Sequence, residues 1–175
     1  MGRLKIKRVT FIWFTLIAVA VVYSSCKVSY SFTGANISPD VKTFSVYYFQ
    51  NRAQLVNPTL SQSFTEALRE KLQRQTSLDE LQENGDLEFE GYIDRYEVRP
   101  MSIQKQDQAA LNRLTITINV KYTNNKDPEQ NVEKSFSAFE DFDAASSLSD
   151  VEDGLVPEII EKLNEDIFNA TIANW

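Results

Sequence analysis

Histidine is absent from this 175-residue sequence, and cysteine occurs once, at Cys26. These absences exclude Ser-His-Asp and Cys-His catalysis, imidazole or multi-thiolate metal sites, and pH switching by histidine. Glycine is scarce too: the five glycines are scattered, so no glycine-rich loop is available to cradle a phosphate. The composition predicts a protein that is not an enzyme and holds no metal and no cofactor.

A long apolar run is also missing. Residues 9–22 are apolar except for threonine, whereas a membrane-spanning helix needs about 20 such residues. Four basic residues precede the run and small residues follow it, which is typical of a secretory signal. Ser24-Ser25-Cys26 resembles the lipobox of bacterial lipoproteins, although Tyr23 stands where leucine is usual. We expect cleavage after Ser25 and lipidation of Cys26, whose acyl chains give stable membrane attachment. The alternative is an uncleaved anchor helix.

The predicted organisation is a signal peptide at 1–25, a lipidated N-terminus and tether at 26–40, and one domain at 41–175. The length that remains after the signal suits a single domain. The chain has 25 acidic residues, none of them in the signal, and four of its 18 basic residues belong to the signal. Such an acidic balance excludes a nucleic-acid-binding role.

Alternation of apolar and polar residues predicts four strands, at 41–49, 86–98, 110–123 and 132–142. In 110–123 one face is apolar and the other carries threonine, asparagine, arginine and lysine, which indicates an antiparallel sheet with one face on a core. In 86–98 the apolar phase shifts by one residue. This shift predicts a bulge near Asp94-Arg95.

Two amphipathic helices are predicted. The first spans 58–76, with Asn57 as N-cap and Pro58 at the first helical position. The second begins at a capping box formed by Ser149 and Glu152, and Pro157 either kinks or splits it. For residues 77–85 the sequence allows two alternatives, a continuation of the first helix or a short extended piece. The order β-α-β-β-β-α predicts an α+β two-layer sandwich, in which a mainly antiparallel four-stranded sheet is covered by two helices.

Charge is segregated along the predicted domain. Residues 127–166 hold 13 acidic residues and two lysines, whereas residues 95–126 hold only two acidic residues. The basic residues of that second segment are Arg95, Arg99, Lys105, Arg113, Lys121 and Lys126. This basic segment suits an anionic ligand such as a phosphate or a phospholipid headgroup, or it neutralises acidic neighbours. Three of the four residues 140–143 are acidic, but the segment lacks the glycine turn and the spacing of a calcium loop, so no metal site is predicted.

Several segments resemble the LptE family of lipopolysaccharide-assembly lipoproteins, and the resemblance extends along the whole chain after the signal. They are Tyr30-Ser31-Phe32-Thr33-Gly34, the helix start Asn57 to Leu68, the strand Ala110 to Ile118, Asp166-Ile167-Phe168-Asn169 and Asn174-Trp175. The predicted order of strands and helices agrees with the sandwich of that family.

The resemblance implies a lipid-anchored protein on the periplasmic face of a Gram-negative outer membrane. It implies that the β-barrel LptD is the partner, that the chain helps the barrel assemble and plugs it, and that lipopolysaccharide is the ligand. The candidates for contact with the lipid A phosphates are Arg99, Lys105 and Arg113. The alternatives are another outer-membrane accessory lipoprotein, such as a secretin pilot or a barrel-assembly subunit, and a ligand-binding module without a barrel partner.

Overall fold

The computed structural model describes residues 37–55, 57–101 and 110–173. Its strands are β1 (Thr43–Val46), β2 (Gln50–Asn51), β3 (Asp79–Glu80), β4 (Leu87–Met101), β5 (Leu111–Asn124) and β6 (Val132–Asp143). The helices are α1 (Leu60–Gln75) and α2 (Leu148–Thr171), and a 3-10 turn at Pro128–Gln130 precedes β6. Cys26 and Lys105 lie outside the described residues.

One mixed sheet contains all six strands. Its order is β3-β1-β4-β5-β6, with β2 beside β4. The long strands β4, β5 and β6 form an antiparallel meander. The short strands pair in parallel: β1 and β2 with β4, and β3 with β1. The predicted α+β sandwich is confirmed, and the prediction of four mainly antiparallel strands is corrected to a mixed sheet of six. Helix α1 is the crossover connection that allows β3 and β4 to run parallel to β1. With two residues each, β2 and β3 are too short to show a period.

The predicted irregularity in β4 is confirmed. Ile93 pairs with Ile118 and Arg95 pairs with Thr117, so one extra residue stands in β4 between these two pairs. Before the bulge, Leu87 and Phe89 face the core. After it, the core position passes to Tyr96, which is 3% exposed. The bulge therefore keeps apolar side chains on the core face along a 15-residue strand.

Helix α1 begins close to the predicted position. The regular helix starts at Leu60, and the Oδ1 of Asn57 accepts hydrogen bonds from the N–H groups of Thr59 (2.9 Å) and Leu60 (3.0 Å). The N-cap is Thr59, so the predicted N-cap at Asn57 and first helical residue at Pro58 are each two residues too early, although the Asn57 side chain does satisfy the first free backbone donors. The stripe Leu60, Phe64, Leu68 and Leu72 is buried against the sheet.

The predicted capping box of α2 is wrong. The helix begins two residues earlier, with Ser147 as N-cap, and the Ser147 hydroxyl contacts Asp150. Glu152 accepts hydrogen bonds from Tyr96 and Asn57 instead, so a contact between distant elements takes its carboxylate away from the helix start. The helix also runs through Pro157 without dividing. Because proline has no N–H, the carbonyl of Asp153 loses its helical partner there.

Both helices pack on the same face of the sheet, and the core lies between the two layers. Strand β5 contributes alternate buried residues, and the fully buried side chains of β1 and β4 meet the apolar stripe of α1. Phe49 contacts Phe64 edge to face at 4.9 Å between ring centroids. Burial of this one face leaves the opposite, polar face of the sheet without a covering layer among the described residues.

Candidate ligand-binding face of the sheet

The uncovered face of β4, β5 and β6 is a polar surface built by strand register. Each cross-strand row brings three side chains together, because residues directly opposite one another point to the same face. Arg113 of β5 lies between Arg99 of β4 and Asp141 of β6, and Lys121 lies between Glu90 and Glu133. The rows between them carry mostly threonine, serine and asparagine, so this face presents hydrogen-bonding groups over its whole length.

Two of the three predicted ligand residues meet at one end of this face. Arg99 and Arg113 are register partners next to the connection between β4 and β5, and Lys105 belongs to the part of that connection outside the described residues. Arg113 donates from Nε and Nη2 to both carboxylate oxygens of Asp141 (2.7 and 2.9 Å). Its guanidinium also lies 3.6 Å from the centre of the Phe139 ring. The bidentate bond and the ring fix the orientation of Arg113.

Every described basic residue of the 95–126 segment has a carboxylate beside it. Arg99 contacts Glu97 at 3.0 Å and Arg95 contacts Asp94 at 3.6 Å. The two lysines of this set pair across the sheet: Lys121 with Glu90 and Lys126 with Asp86. The sequence also predicted this arrangement, as the alternative in which basic residues neutralise acidic neighbours. Charge neutralisation and anion binding are compatible when the basic groups keep donors free.

Ion pairing shifts the pKa values of Asp86, Arg113 and Asp141 in the directions expected for contact between opposite charges. The hydrogen bonds from Arg113 lower the pKa of Asp141, and in turn Asp141 raises the pKa of Arg113. Hydrogen bonding from Lys126, followed by the backbone N–H of Lys42, lowers the pKa of Asp86 to about 2. Asp86, Arg113 and Asp141 therefore remain charged at neutral pH.

No group of three or more acidic residues is arranged to hold a metal ion within residues 37–55, 57–101 and 110–173. Of the acidic residues at 140–143, Asp141 binds Arg113 and Glu140 contacts Lys162. Over the same ranges, no helix combines the length and the hydropathy that crossing a membrane requires.

A groove that the sequence does not predict lies between the two helices. This inter-helix groove has a volume of about 690 Å³ and is lined by residues of both helices, including Lys71, Glu152 and Asn164. Lys71 is largely buried and pairs with Glu165 of α2. Asn164 is 2% exposed, and its Oδ1 has no hydrogen-bond partner among the described residues. The lining residues are far apart in sequence, so no local pattern marks the groove.

Tyr96 joins the sheet to the end of this groove. Its hydroxyl donates to Oε1 of Glu152, and the side-chain amide of Asn57 donates to the same oxygen. Burial raises the pKa of Tyr96, and the neighbouring carboxylate raises it further. Tyr96 therefore remains a protonated donor, and the three residues connect β4, the start of α1 and the first turns of α2.

A family model described as "LptE: Lipopolysaccharide-assembly" matches residues 41–171, which is well over half of the chain. The match covers all six strands and both helices. No curated protein sequence matches the chain significantly.

Among solved structures, the chain is similar to a minor lipoprotein from Acinetobacter baumannii, with 14% identity and a TM-score of 0.52. That similarity covers 77% of this chain and 94% of the other. It is also similar to a hypothetical protein from Chlamydia trachomatis, with 8% identity, a TM-score of 0.54, and coverage of 77% and 99%. At these identities the comparisons establish a shared fold.

Proposed function

The chain belongs to the LptE family of lipopolysaccharide-assembly proteins, and from this premise we propose that it is the lipid-anchored partner of the outer-membrane β-barrel LptD. In this role it helps the barrel assemble, occupies the barrel lumen as a plug and binds lipopolysaccharide. The observation that best supports the role is the polar face of β4, β5 and β6, because the lumen of a large barrel is hydrated and accepts such a surface.

The proposed attachment is through lipid on Cys26, after removal of residues 1–25. Several acyl chains on one residue provide the two or more anchoring signals that stable attachment needs. The anchor then holds the domain on the periplasmic side of the outer membrane. About 15 residues separate Cys26 from the first strand, and an extended chain of that length reaches up to about 50 Å.

The proposed contacts for the phosphates of lipid A are Arg99, Arg113 and Lys105. A guanidinium has five N–H donors in a planar fork, and Arg113 uses two of its nitrogens for Asp141. Arg99 uses one nitrogen for Glu97. Because Arg99 and Arg113 are register partners at the same end of the sheet, we expect an anion placed there to receive hydrogen bonds from the remaining donors of both side chains while the pairs with carboxylates persist.

The experiment compares lipopolysaccharide binding by the wild type with binding by variants that lose one or more of these positive charges. Arg99→Gln and Arg113→Gln are expected to weaken binding several-fold, and adding Lys105→Gln is expected to weaken it further. Arg74→Gln is the matched control, because Arg74 is an exposed arginine that pairs with a carboxylate on α1, the helix on the other face. Equal affinity for all these variants and the wild type would overturn this assignment of the phosphate contacts.

A further inference from the structure

A continuous groove runs along the open edge of β6, beside α2. It consists of two cavities of about 510 and 470 Å³, which share Ser137 and Asp166. One wall is the segment 134–139 of β6, and the other wall is the segment 161–170 of α2. The strand and the helix run in opposite directions along this β6-edge groove. Its length is at least that of five extended residues, which is about 17 Å.

The backbone of β6 leaves hydrogen-bonding groups unused on this side. Within the described ranges, β5 is the only strand that pairs with β6. The N–H of Ala144 bonds to the carbonyl of Ala110 at 2.9 Å, in the same register as the ladder. In an antiparallel pair the bonded residues alternate, so the even-numbered residues of β6 bond to β5. The backbone groups of Ser135, Ser137 and Phe139 therefore point out into the groove. The carbonyl of Phe139 accepts a hydrogen bond from Nζ of Lys162 (3.5 Å), whereas those of Ser135 and Ser137 have no partner strand among the described residues.

The helical wall of the groove is acidic. Glu161, Glu165 and Asp166 line it, and Glu161 and Asp166 form no ion pair among the described residues. The lysine of the same wall, Lys162, pairs with Glu140. Glu161 and Glu165 are four residues apart, which is about 6 Å along the helix axis and close to the spacing of about 6.6 Å between alternate residues in a strand. Alternate side chains of an added strand therefore match the spacing of the acidic residues.

We propose that the β6-edge groove binds an extended segment of another polypeptide as an added strand, with basic side chains directed towards α2. Lysine or arginine suits these positions, because the stem covers Ala138 and Ala170 while the charge meets Glu161 or Asp166. The side chains between them lie on the uncovered face of the sheet, next to Phe139, which is 45% exposed. Apolar residues suit these intervening positions.

Charge favours this partner over a second copy of the chain. Residues 127–166, which include β6 and most of α2, hold 13 acidic residues and two lysines. Pairing of two β6 edges would bring two such surfaces together, and like charges destabilise an interface. The partner recognised by this chemistry is therefore a basic, alternating β-segment. The inference uses neither Arg99 nor Arg113, so it stands or falls independently of lipopolysaccharide binding.

The test is a fluorescence-anisotropy titration of the full chain, in an uncharged detergent, into a labelled short peptide of alternating lysine and valine. Binding is expected, and it should weaken as salt rises, because exposed charges are screened. Ser137→Pro removes an outward N–H without removing a bond to β5, and proline is tolerated on an edge strand. We expect it to weaken binding about tenfold. Ser137→Ala is the matched control, because it also loses the hydroxyl contact with Thr117 but keeps the backbone N–H. It should bind the peptide as the wild type does.

Two further comparisons keep the test independent of how well the proline variant folds. A peptide methylated on alternate backbone nitrogens should bind the wild-type chain much more weakly than the unmodified peptide. Glu161→Gln combined with Asp166→Asn should also weaken binding, and a peptide of alternating glutamate and valine should not bind. Equal binding of the lysine and glutamate peptides, or of the methylated and unmodified peptides, would overturn the proposal. A wild-type dimer that Ser137→Pro converts to monomer would also overturn it, in favour of a second copy.

Discussion

Substitution of Gly91 by alanine is expected to destabilise the domain strongly. Gly91 lies in β4 on the core side, opposite Val120 of β5. A Cβ at this position would stand 2.0 Å from the carbonyl oxygen of Asn119 and 2.7 Å from the ring of Phe49. The first of these atoms is backbone of the neighbouring strand, so relief requires β4 and β5 to separate by roughly an ångström. Movement of a single side chain cannot supply this relief.

The size of the effect follows from the atoms that must move. Overpacking of a well-packed core costs about 1–3 kcal/mol, and the upper end applies where backbone has to shift. Phe49 is fully buried and contacts Phe64 of α1, so displacement of its ring also disturbs the packing of the helix. We expect Gly91→Ala to lower the free energy of unfolding by about 3 kcal/mol. For a domain of this size, that corresponds to a Tm lower by about 10 °C.

The measurement is thermal and urea unfolding of the full chain in detergent, followed by circular dichroism. Gly154→Ala is the matched control, because Gly154 lies in α2 with open space around the position of a Cβ. Alanine is the better helix former, so this variant should be more stable than the wild type by about 0.5–1 kcal/mol. If Gly91→Ala unfolds within about 0.5 kcal/mol of the wild type, the close approach of β4 and β5 at this position is wrong.

Three other changes test further parts of the structure. Because the folded pKa of Asp86 is depressed to about 2 by Lys126 and two backbone N–H groups, its contribution to stability is full above about pH 4 and is lost as the pH falls through 2. Asp86→Asn should therefore cost about 1 kcal/mol at neutral pH, after allowance for solvent screening, and much less at pH 2, where the folded carboxyl is about half protonated, in chemical unfolding. Tyr96→Phe removes a hydrogen bond to Glu152 and should cost about 1–2 kcal/mol in the same assay. Cys26→Ala should remove the lipid and release the protein from the outer-membrane fraction, and normal fractionation would contradict the proposed anchor.

Sequence reasoning succeeded where a pattern is local and one side of an element is buried. The alternation in β5 identified the core face, from Leu114 to Tyr122, and these residues are buried. The shift of apolar phase between Ile93 and Tyr96 located the bulge. Without an extra residue there, the apolar side chains after the shift would point to the solvent face of the sheet. The start of α1 was predicted to within two residues for the same reason: Asn57 bonds to N–H groups within three residues along the chain, although the N-cap itself is Thr59.

It failed where two local solutions are equivalent and a distant contact selects between them. Ser147 and Ser149 are each followed by an acidic residue three positions later, so either could begin α2. Tyr96, from β4, takes the carboxylate of Glu152 and thereby leaves Ser147 as the cap. The two-residue strand β2 was missed for a related reason, since only pairing with β4 gives it strand geometry. The strand β3 lies in the segment 77–85, where the short extended piece, one of the two predicted alternatives, is the one observed.

The candidate site shows the same limit. The basic segment 95–126 was identified from a window of sequence that contains few carboxylates. Arg95 and Arg99 pair with the nearby Asp94 and Glu97, but the partners of the other three described basic residues lie outside that window: Asp141, Glu90 and Asp86 reach Arg113, Lys121 and Lys126 from neighbouring parts of the sheet. Cross-strand pairing, which the sequence does not specify residue by residue, therefore converts an apparent excess of positive charge into a row of ion pairs.

Co-purification from the outer membrane tests the central proposal most directly. The tagged, lipidated chain is isolated from detergent-solubilised outer membrane, and its partners are identified and quantified by mass spectrometry. The account predicts a large β-barrel of the LptD type in stoichiometric amount, with lipopolysaccharide bound to the complex. Recovery of the chain without that barrel, or with a secretin in its place, would contradict the proposed role in lipopolysaccharide assembly and leave the fold unaffected.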